Sequence, residues 1–346
     1  MSISDRTIFV VGNSRSGTTM LGRILGNHSQ VHTFGELHFF EQQVDAPTVC
    51  NRPIWTNEKL TVLLERLLTS SRDGFFNSVI SGQYKDDSQS ILSIVSHNDP
   101  VSSYSAFLDF EAEKNNKLIP CEQTPRYLFS VEEILEAFPE CRIINMVRDP
   151  RDVLLSQKNK WRRRFLGAKT IPLIEALRSW VNYHPYTITR LWVSAIRESQ
   201  RHKKCKRFVT VRFEDLLDSP ENEIKALCKF IGIKFEKSML IIPNVGSSMR
   251  NDNPEKKGID SSHTATWTKG GLSKGELSIC QQVAAREMKK LDYKFELIAI
   301  PLQQKVLSIL SFLIKTPIAL LMNVRRSKNI FQTIRRRLLA SSQEPL

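Results

Sequence analysis

Near the start of the chain, an arginine, four hydroxyl side chains and two glycines crowd into Gly12-Asn13-Ser14-Arg15-Ser16-Gly17-Thr18-Thr19. The apolar run Ile8-Phe9-Val10-Val11 precedes this stretch, and Met20, Leu21, Ile24 and Leu25 follow it on one face of an expected helix. A strand, a glycine-bounded loop and a helix N-terminus aim backbone N–H groups and the positive end of the helix dipole at one point, the chemistry of phosphate capture. Gly12 and Gly17 keep the four-residue gap of a nucleotide P-loop. Thr18, however, stands where that motif has its phosphate-reaching lysine, and the cation lies inside the loop as Arg15. An arginine facing a nest of N–H groups makes little sense without an anion.

A second constellation begins after the run Ile143-Ile144-Asn145-Met146-Val147. It reads Arg148-Asp149-Pro150-Arg151-Asp152-Val153, with Ser156 beyond it. A basic residue just past the carboxyl end of a parallel strand, and a hydroxyl expected at the start of the next helix, converge on the crevice where open α/β sheets bind ligands. The plain alternative is a surface pairing of Arg148 and Asp149 with Arg151 and Asp152.

Taken together, the two segments resemble the superfamily of sulfotransferases that use 3′-phosphoadenosine-5′-phosphosulfate (PAPS). Its members carry a K/R-S-G-T-T loop for the 5′-phosphosulfate, matched here by Arg15, Ser16, Gly17, Thr18 and Thr19. Arginine in first place is the form of the tyrosylprotein branch and of many bacterial members; cytosolic aryl sulfotransferases have lysine. The R-D-P-R-D…S segment implies that Arg148 and Ser156 grip the 3′-phosphate, with Lys160 where some members place another basic contact. Glu122-Gln123-Thr124-Pro125-Arg126 is similar to E-K-T-P-R, with Gln123 in place of the lysine. Val211-Arg212-Phe213-Glu214-Asp215-Leu216 is similar to V-R-Y-E-D-L, which implies that Phe213 lies near the adenine without offering a phenol. The resemblance runs from about residue 5 to 297.

It implies transfer of a sulfuryl group from PAPS to a hydroxyl by in-line displacement, a reaction close to phosphoryl transfer. Such a step needs a cation on the leaving side and a base for the hydroxyl. Arg15 suits the first role electrostatically, since a guanidinium keeps its proton. Glu36, in Gly35-Glu36-Leu37-His38-Phe39-Phe40, is implied as the base by two branches at once. Tyrosylprotein enzymes have a G-E at this distance from the loop, and heparan-type enzymes have E-V-H-F-F. His38 is a second candidate, either orienting the acceptor or serving as a hydrogen-bonded core histidine. Because the analogies imply different acceptors, a carbohydrate, a lipid and a tyrosine all stay open. No metal is required, because Arg15, the loop amides and Arg148 already oppose the nucleotide's charge. A P-loop kinase would need a lysine after Gly17 and an acid for Mg²⁺ at a strand end, where Thr18 and Arg148 stand. A non-catalytic membrane-surface or nucleic-acid binder would leave the loop unexplained, and no nucleic-acid partner is expected.

The elements that must hold these residues read as an α/β layer fold of the P-loop type, with a mostly parallel central sheet flanked by helices. The runs at 8–11, 143–147 and 208–211 are short and β-branched, as suits strands covered on both faces; 30–34 is a weaker fourth. Ser130 to Glu133 and Ser273 to Glu276 read as capping boxes, and Ser219-Pro220 as a helix start ended by Gly232. Residues 43–120 read as a polar, loop-rich insertion with helical pieces around 58–69, serving as a lid; 246–272 is similarly irregular. The expected organisation is a sulfotransferase-like domain over 1–300 and a basic amphipathic tail over 301–346.

Charge is concentrated in that tail. Of a net +14 over 346 residues, half comes from 301–346, with eight basic side chains against Glu344. The apolar stretch Val306 to Met322 contains Lys315 and Pro317, so it is a poor bilayer span of ~20 residues and a better element for an anionic membrane surface. A helix packed on the domain with a frayed basic end is the alternative. Six cysteines without a C-x-x-C pair read as free thiols, with Cys228 and Cys280 buried. The N-terminus enters its first strand with no secretory pattern, which predicts a cytoplasmic protein with, at most, a peripheral membrane contact.

Overall fold

The computed structural model describes residues 6–323 except 45, 169–170, 250 and 300–301. The chain opens with β1 (Ile8–Gly12), α1 (Thr18–Gly26) and β2 (Val31–Thr33). Four helices follow: α2 (Ala46–Asn51), α3 (Asn57–Arg72), α4 (Lys85–Ile94) and α5 (Pro100–Lys114). Next come β3 (Ile119–Glu122), α6 (Val131–Ala137), β4 (Arg142–Val147), α7 (Pro150–Lys158), α8 (Leu173–Val181) and α9 (Pro185–Arg201). After β5 (Phe208–Arg212) run α10 (Phe213–Asp218), α11 (Pro220–Ile231), β6 (Pro243–Asn244), β7 (Asn253–Lys257), α12 (Lys274–Lys290) and α13 (Leu302–Asn323).

The first five strands form one parallel sheet in the order β2-β3-β1-β4-β5, and β6 pairs with β7 in a separate antiparallel ribbon. Alternation along the strands divides the core between two faces. Phe9, Val11 and Ile143 point into a cluster with Leu64, Tyr104 and Phe107 from α3 and α5. Ile8, Val10, Ile144 and Met146 point the other way, onto Leu21 and Ile24 of α1 and Ile224 and Leu227 of α11. With both faces covered, β1 is buried at every position, which is why it reads as a continuous apolar run.

All four strands read from the sequence are present, and β3 joins them between β2 and β1. Ile-Pro-Cys-Glu is short, and Pro120 carries no ladder N–H, so local pattern does not mark it. Residues 43–120 are corrected from loop-rich to largely helical. Leu60, Leu63, Leu64, Leu67 and Leu68 of α3 are buried, the core-facing stripe of an amphipathic helix. The capping box at Ser273 is present, with the Glu276 N–H donating to Ser273 Oγ (3.2 Å) and the Ser273 N–H to Glu276 Oε2 (2.7 Å). Ser130 and Ser219 make no side-chain cap bond. A 3-10 turn over Pro125–Ser130 runs straight into α6, so Ser130 never takes the extended backbone of a cap. α11 ends where expected, on Gly232 at φ 83°. All six cysteines are free, with Cys228 and Cys280 buried. Of the tail, α13 rests on α8 and α12, while the basic cluster from Arg325 to Arg337 lies outside the described residues.

At the carboxyl end of β1, Gly12 (φ 148°) lies so close to β4 that a Cβ would collide with the Met146 carbonyl oxygen. Gly12→Ala should therefore lower stability by roughly 1–3 kcal/mol through backbone strain, before any clash is counted. Gly35→Ala, with nothing within 4 Å of the added Cβ, should stay within about 0.5 kcal/mol of the parent. Urea denaturation midpoints measure both, and equal midpoints for the two variants would contradict this account.

Candidate active site

Parallel strands end on one edge, so the loops after β1, β4 and β5 must meet there. They enclose a cavity of about 590 Å³ lined by the 15–19 loop, Arg148 and Ser156, Phe213, Glu36, and much of 242–271. Of the sequence candidates, Arg15, Gly17, Thr18, Thr19, Glu36, Arg148, Ser156, Lys160 and Phe213 line it. Ser16 and His38 stand just behind the wall, both buried. The irregular segment 246–272 supplies a large share of the lining, whereas 43–120 supplies none.

The loop's shape follows from three left-handed residues. Gly12 and Gly17 (φ 98°) have no Cβ to clash, and Arg15 adopts φ 74° at some cost, because its Cβ crowds the backbone carbonyl. A Cβ on Gly17 would strike the Phe213 ring, so the glycine lets the loop settle on that ring. α1 then begins at Thr18 with no side-chain cap on its N-terminus, leaving its first N–H groups to face the cavity.

The two sequence constellations meet through Arg15. Its Nε donates to Ser156 Oγ (2.9 Å) and its Nη2 to the Gly246 carbonyl (3.2 Å). Ser156 lies in the second turn of α7, not at the helix start, and its Oγ is 3.0 Å from Ser248 Oγ. Arg148 donates to the His263 carbonyl (2.7 Å), lies 3.7 Å from Asp152, and stacks on Phe213 with its guanidinium carbon 4.3 Å from the ring centre. Asp149 and Arg151 do pair (2.7 Å), as the plain alternative had it, but the pair is buried and not on the surface, with Arg151 against Trp267. Half of this segment is therefore scaffold and half faces the cavity. Burial, and then the charges of Arg148 and Arg163, push Arg15 down to about 10 against the weaker pull of Glu36. Guanidiniums gathered at this density repel one another in the absence of a counter-charge.

Glu36 stands across the cavity on the segment after β2. Its side chain is 42% exposed, and Oε2 lies 3.1 Å from His38 Nε2. His38, at φ 54°, reaches Glu41 Oε2 with Nδ1 (3.6 Å), and Arg126 lies 3.6 Å from the same oxygen. Burial alone would lower the His38 imidazolium; its ion pairs with Glu36 and Glu41 outweigh this and raise it to about 9. Burial would raise Glu36, but His38, Lys160 and Arg126 hold it below the ordinary carboxylate value. Two buried groups fasten the segment beneath. Glu122 accepts from the Leu37 N–H (3.1 Å) and the Thr124 N–H (3.1 Å), and Tyr127 Oη accepts from the Phe39 N–H (2.6 Å). Burial pushes Glu122 up to about 8 despite these bonds.

Several members of the site lie beyond the sequence reading. Glu41 follows His38 by three residues, a spacing legible only once the turn is known to be helical. Arg23 lines the cavity and donates to the Val245 carbonyl (2.9 Å). Arg163, part of the basic run at 158–164, is paired with Asp252 (2.8 Å). Gln123 is buried against Gly22 and does not reach the lining.

Fold and site together define an α/β protein with an arginine-lined cavity at the carboxyl edge of its parallel sheet. The model of the Sulfotransferase family matches residues 7–237, more than half of the chain, and the protein belongs to that family. The chain is similar to a putative protein-tyrosine sulfotransferase of Caenorhabditis briggsae, 24% identical over 248 residues, covering 69% of this chain and 70% of that one. It is also similar to Sulfotransferase 2A1 of Macaca fascicularis, 24% identical over 156 residues, covering 41% of this chain and about half, 52%, of the relative. Among solved structures, the sulfotransferase domain of the Synechococcus PCC 7002 olefin synthase shares the fold. Its TM-score is 0.50 at 19% identity, covering 84% of this chain and 95% of that domain.

The raised His38 makes stability depend on pH with a definite sign. The folded protein holds this proton more tightly than the unfolded chain, so the contribution is complete below pH 6.5 and is lost as pH rises through about 9. Calorimetry from pH 6.5 to 9 should show a larger fall in Tm for the parent than for His38→Gln. Parallel falls would contradict the ion-paired histidine.

Proposed function

We propose that the protein transfers the sulfuryl group of PAPS to a hydroxyl on a carbohydrate, lipid or tyrosine acceptor by in-line displacement. The observation that carries this is the Arg15–Ser156 bond, which merges a 5′-phosphate loop and a 3′-phosphate segment into one cationic cavity. The residues fit the nucleotide. Ser16 Oγ and Arg148 Nε are buried with no hydrogen-bond partner among the described residues, as donors awaiting a ligand oxygen would be. PAPS supplies the activated sulfuryl group when bound.

The chain's own groups divide the work. The amides of Gly17, Thr18 and Thr19 and the hydroxyls of Ser16 and Thr19 bind the 5′ end. Arg15 opposes the charge that gathers on the leaving phosphate. Arg148 and Ser156 bind the 3′-phosphate, the group that separates this nucleotide from ADP and ATP. Phe213, buried beneath Gly17 and Arg148, gives the base an apolar wall. Glu36 takes the acceptor's proton at its carboxylate. Its depressed pKa keeps it ionised at neutral pH, and cationic His38 orients it. His38 is thereby a positioning residue.

Glu36→Gln should lower transfer by about 10²- to 10⁴-fold and leave binding of 3′,5′-adenosine bisphosphate within a factor of about two. Arg148→Ala should weaken that nucleotide by about ten- to a hundredfold, as loss of a charged hydrogen bond does. Equal loss of transfer and binding in Glu36→Gln would remove the base assignment. Thermal shifts read the nucleotide itself: the bisphosphate should stabilise the protein far more than ADP or ATP with Mg²⁺. Preference for ATP with Mg²⁺ would turn the reading to a kinase.

A further inference from the structure

α8 is an amphipathic helix turned outward. Its apolar stripe, Leu173, Ile174, Leu177 and Trp180, is 50–64% exposed, and only Ala176 and Val181 are buried. α13 repeats the arrangement over a longer span. Leu307, Leu310, Ile314, Ile318 and Leu321 recur at three- and four-residue steps and are 43–75% exposed. The two helices adjoin: Arg178 Nε donates to the Met322 carbonyl (3.2 Å), and the Lys315 ammonium sits 4.6 Å from the Trp180 ring centre. Single exposed leucines are ordinary on a protein surface; two neighbouring helices that both show their apolar stripes to solvent are not.

We infer that this paired face docks on an anionic lipid bilayer. Charge selects the occupant. Residues 160–183 carry six basic side chains and one acid, Glu175, and Lys315 of α13 stands beside Trp180. A second copy of so cationic a face would meet strong self-repulsion, whereas anionic headgroups attract each lysine or arginine near the surface by about 1 kcal/mol. The mode is surface lying: no helix among the described residues is long and apolar enough to cross a membrane, and Pro317 interrupts α13. Trp180 beside Lys315 places an amphipathic ring next to a cation, a pairing suited to the interface.

The face borders the cavity. A 3-10 turn over Lys160–Phe165 packs on α8; Lys160 and Arg163 line the cavity, and Phe165 is exposed. Docking would hold the proposed acceptor site within one short turn of the headgroups. The inference stands apart from the sulfuryl-transfer reading, since it rests on surface residues and not on the nucleotide pocket.

Co-sedimentation of the full chain with vesicles tests it. The protein should pellet with phosphatidylcholine vesicles that contain phosphatidylglycerol, and raised salt should weaken the binding. Leu177→Glu with Trp180→Glu should weaken it by about tenfold or more, and Ile314→Glu with Ile318→Glu should do the same. Ile54→Glu, at an exposed apolar residue outside the face, should bind as the parent does. Unchanged Tm and gel-filtration volume establish that each variant is folded. Three results would overturn the inference: parent-like binding by both face variants, equal binding to pure phosphatidylcholine, or a parent dimer that the face variants dissociate while no form binds vesicles.

Discussion

The bond from Arg15 Nε to Ser156 Oγ joins positions 141 residues apart, and the site is organised around it. It draws the loop after β1 onto the helix after β4, and Arg15 Nη2 draws in the 246–272 segment through the Gly246 carbonyl. The cost is electrostatic. Arg15, Arg148 and Arg163 share one cavity, and burial with mutual repulsion depresses Arg15. The proposed nucleotide, a polyanion, would relieve that repulsion. The scaffold beneath it is uncharged where it can be, with Phe213 filling the space under Gly17 and Arg148.

Across the cavity the opposite problem is solved. A carboxylate among cations is easily neutralised by direct pairing with the nearest guanidinium. Here Glu36 is tied instead to His38, and His38 is steadied by Glu41, whose carboxylate Arg126 also approaches. The backbone that carries Glu36 is fastened from below by Glu122 and Tyr127, both buried. The half-exposed carboxylate therefore sits on a firmly held segment, as the proposed role of meeting an incoming hydroxyl in one orientation would need.

The periphery follows different physics. The core helices turn their apolar stripes inward, as α3 does, whereas α8 and α13 leave theirs on the surface beside a dense basic population. This division keeps the cavity polar and leaves a separate apolar face on α8 and α13, joined to the cavity by the Lys160–Phe165 turn.

Much of this was legible in the chain itself. Four of the five strands in the parallel sheet announce themselves as short apolar runs, and the residues proposed to cup phosphate lie within eight consecutive positions, so that local spacing alone brings them together. Arg148 and Ser156 follow from their place after a strand. β3 escaped because Pro120 and its short length hide a strand that neighbours on both sides make. The helices over 43–120 escaped because polar outward faces dilute an apolar stripe. Glu41, Arg23, Glu122 and the pairing of Arg163 with Asp252 were hidden for another reason: each acts on a partner brought near only by the fold. Sequence determined the chemistry available, because residue type and local spacing set which atoms can donate, accept or carry charge. Tertiary structure alone decided which of those atoms meet, because distance and burial determine how strongly charges and hydrogen bonds act on one another.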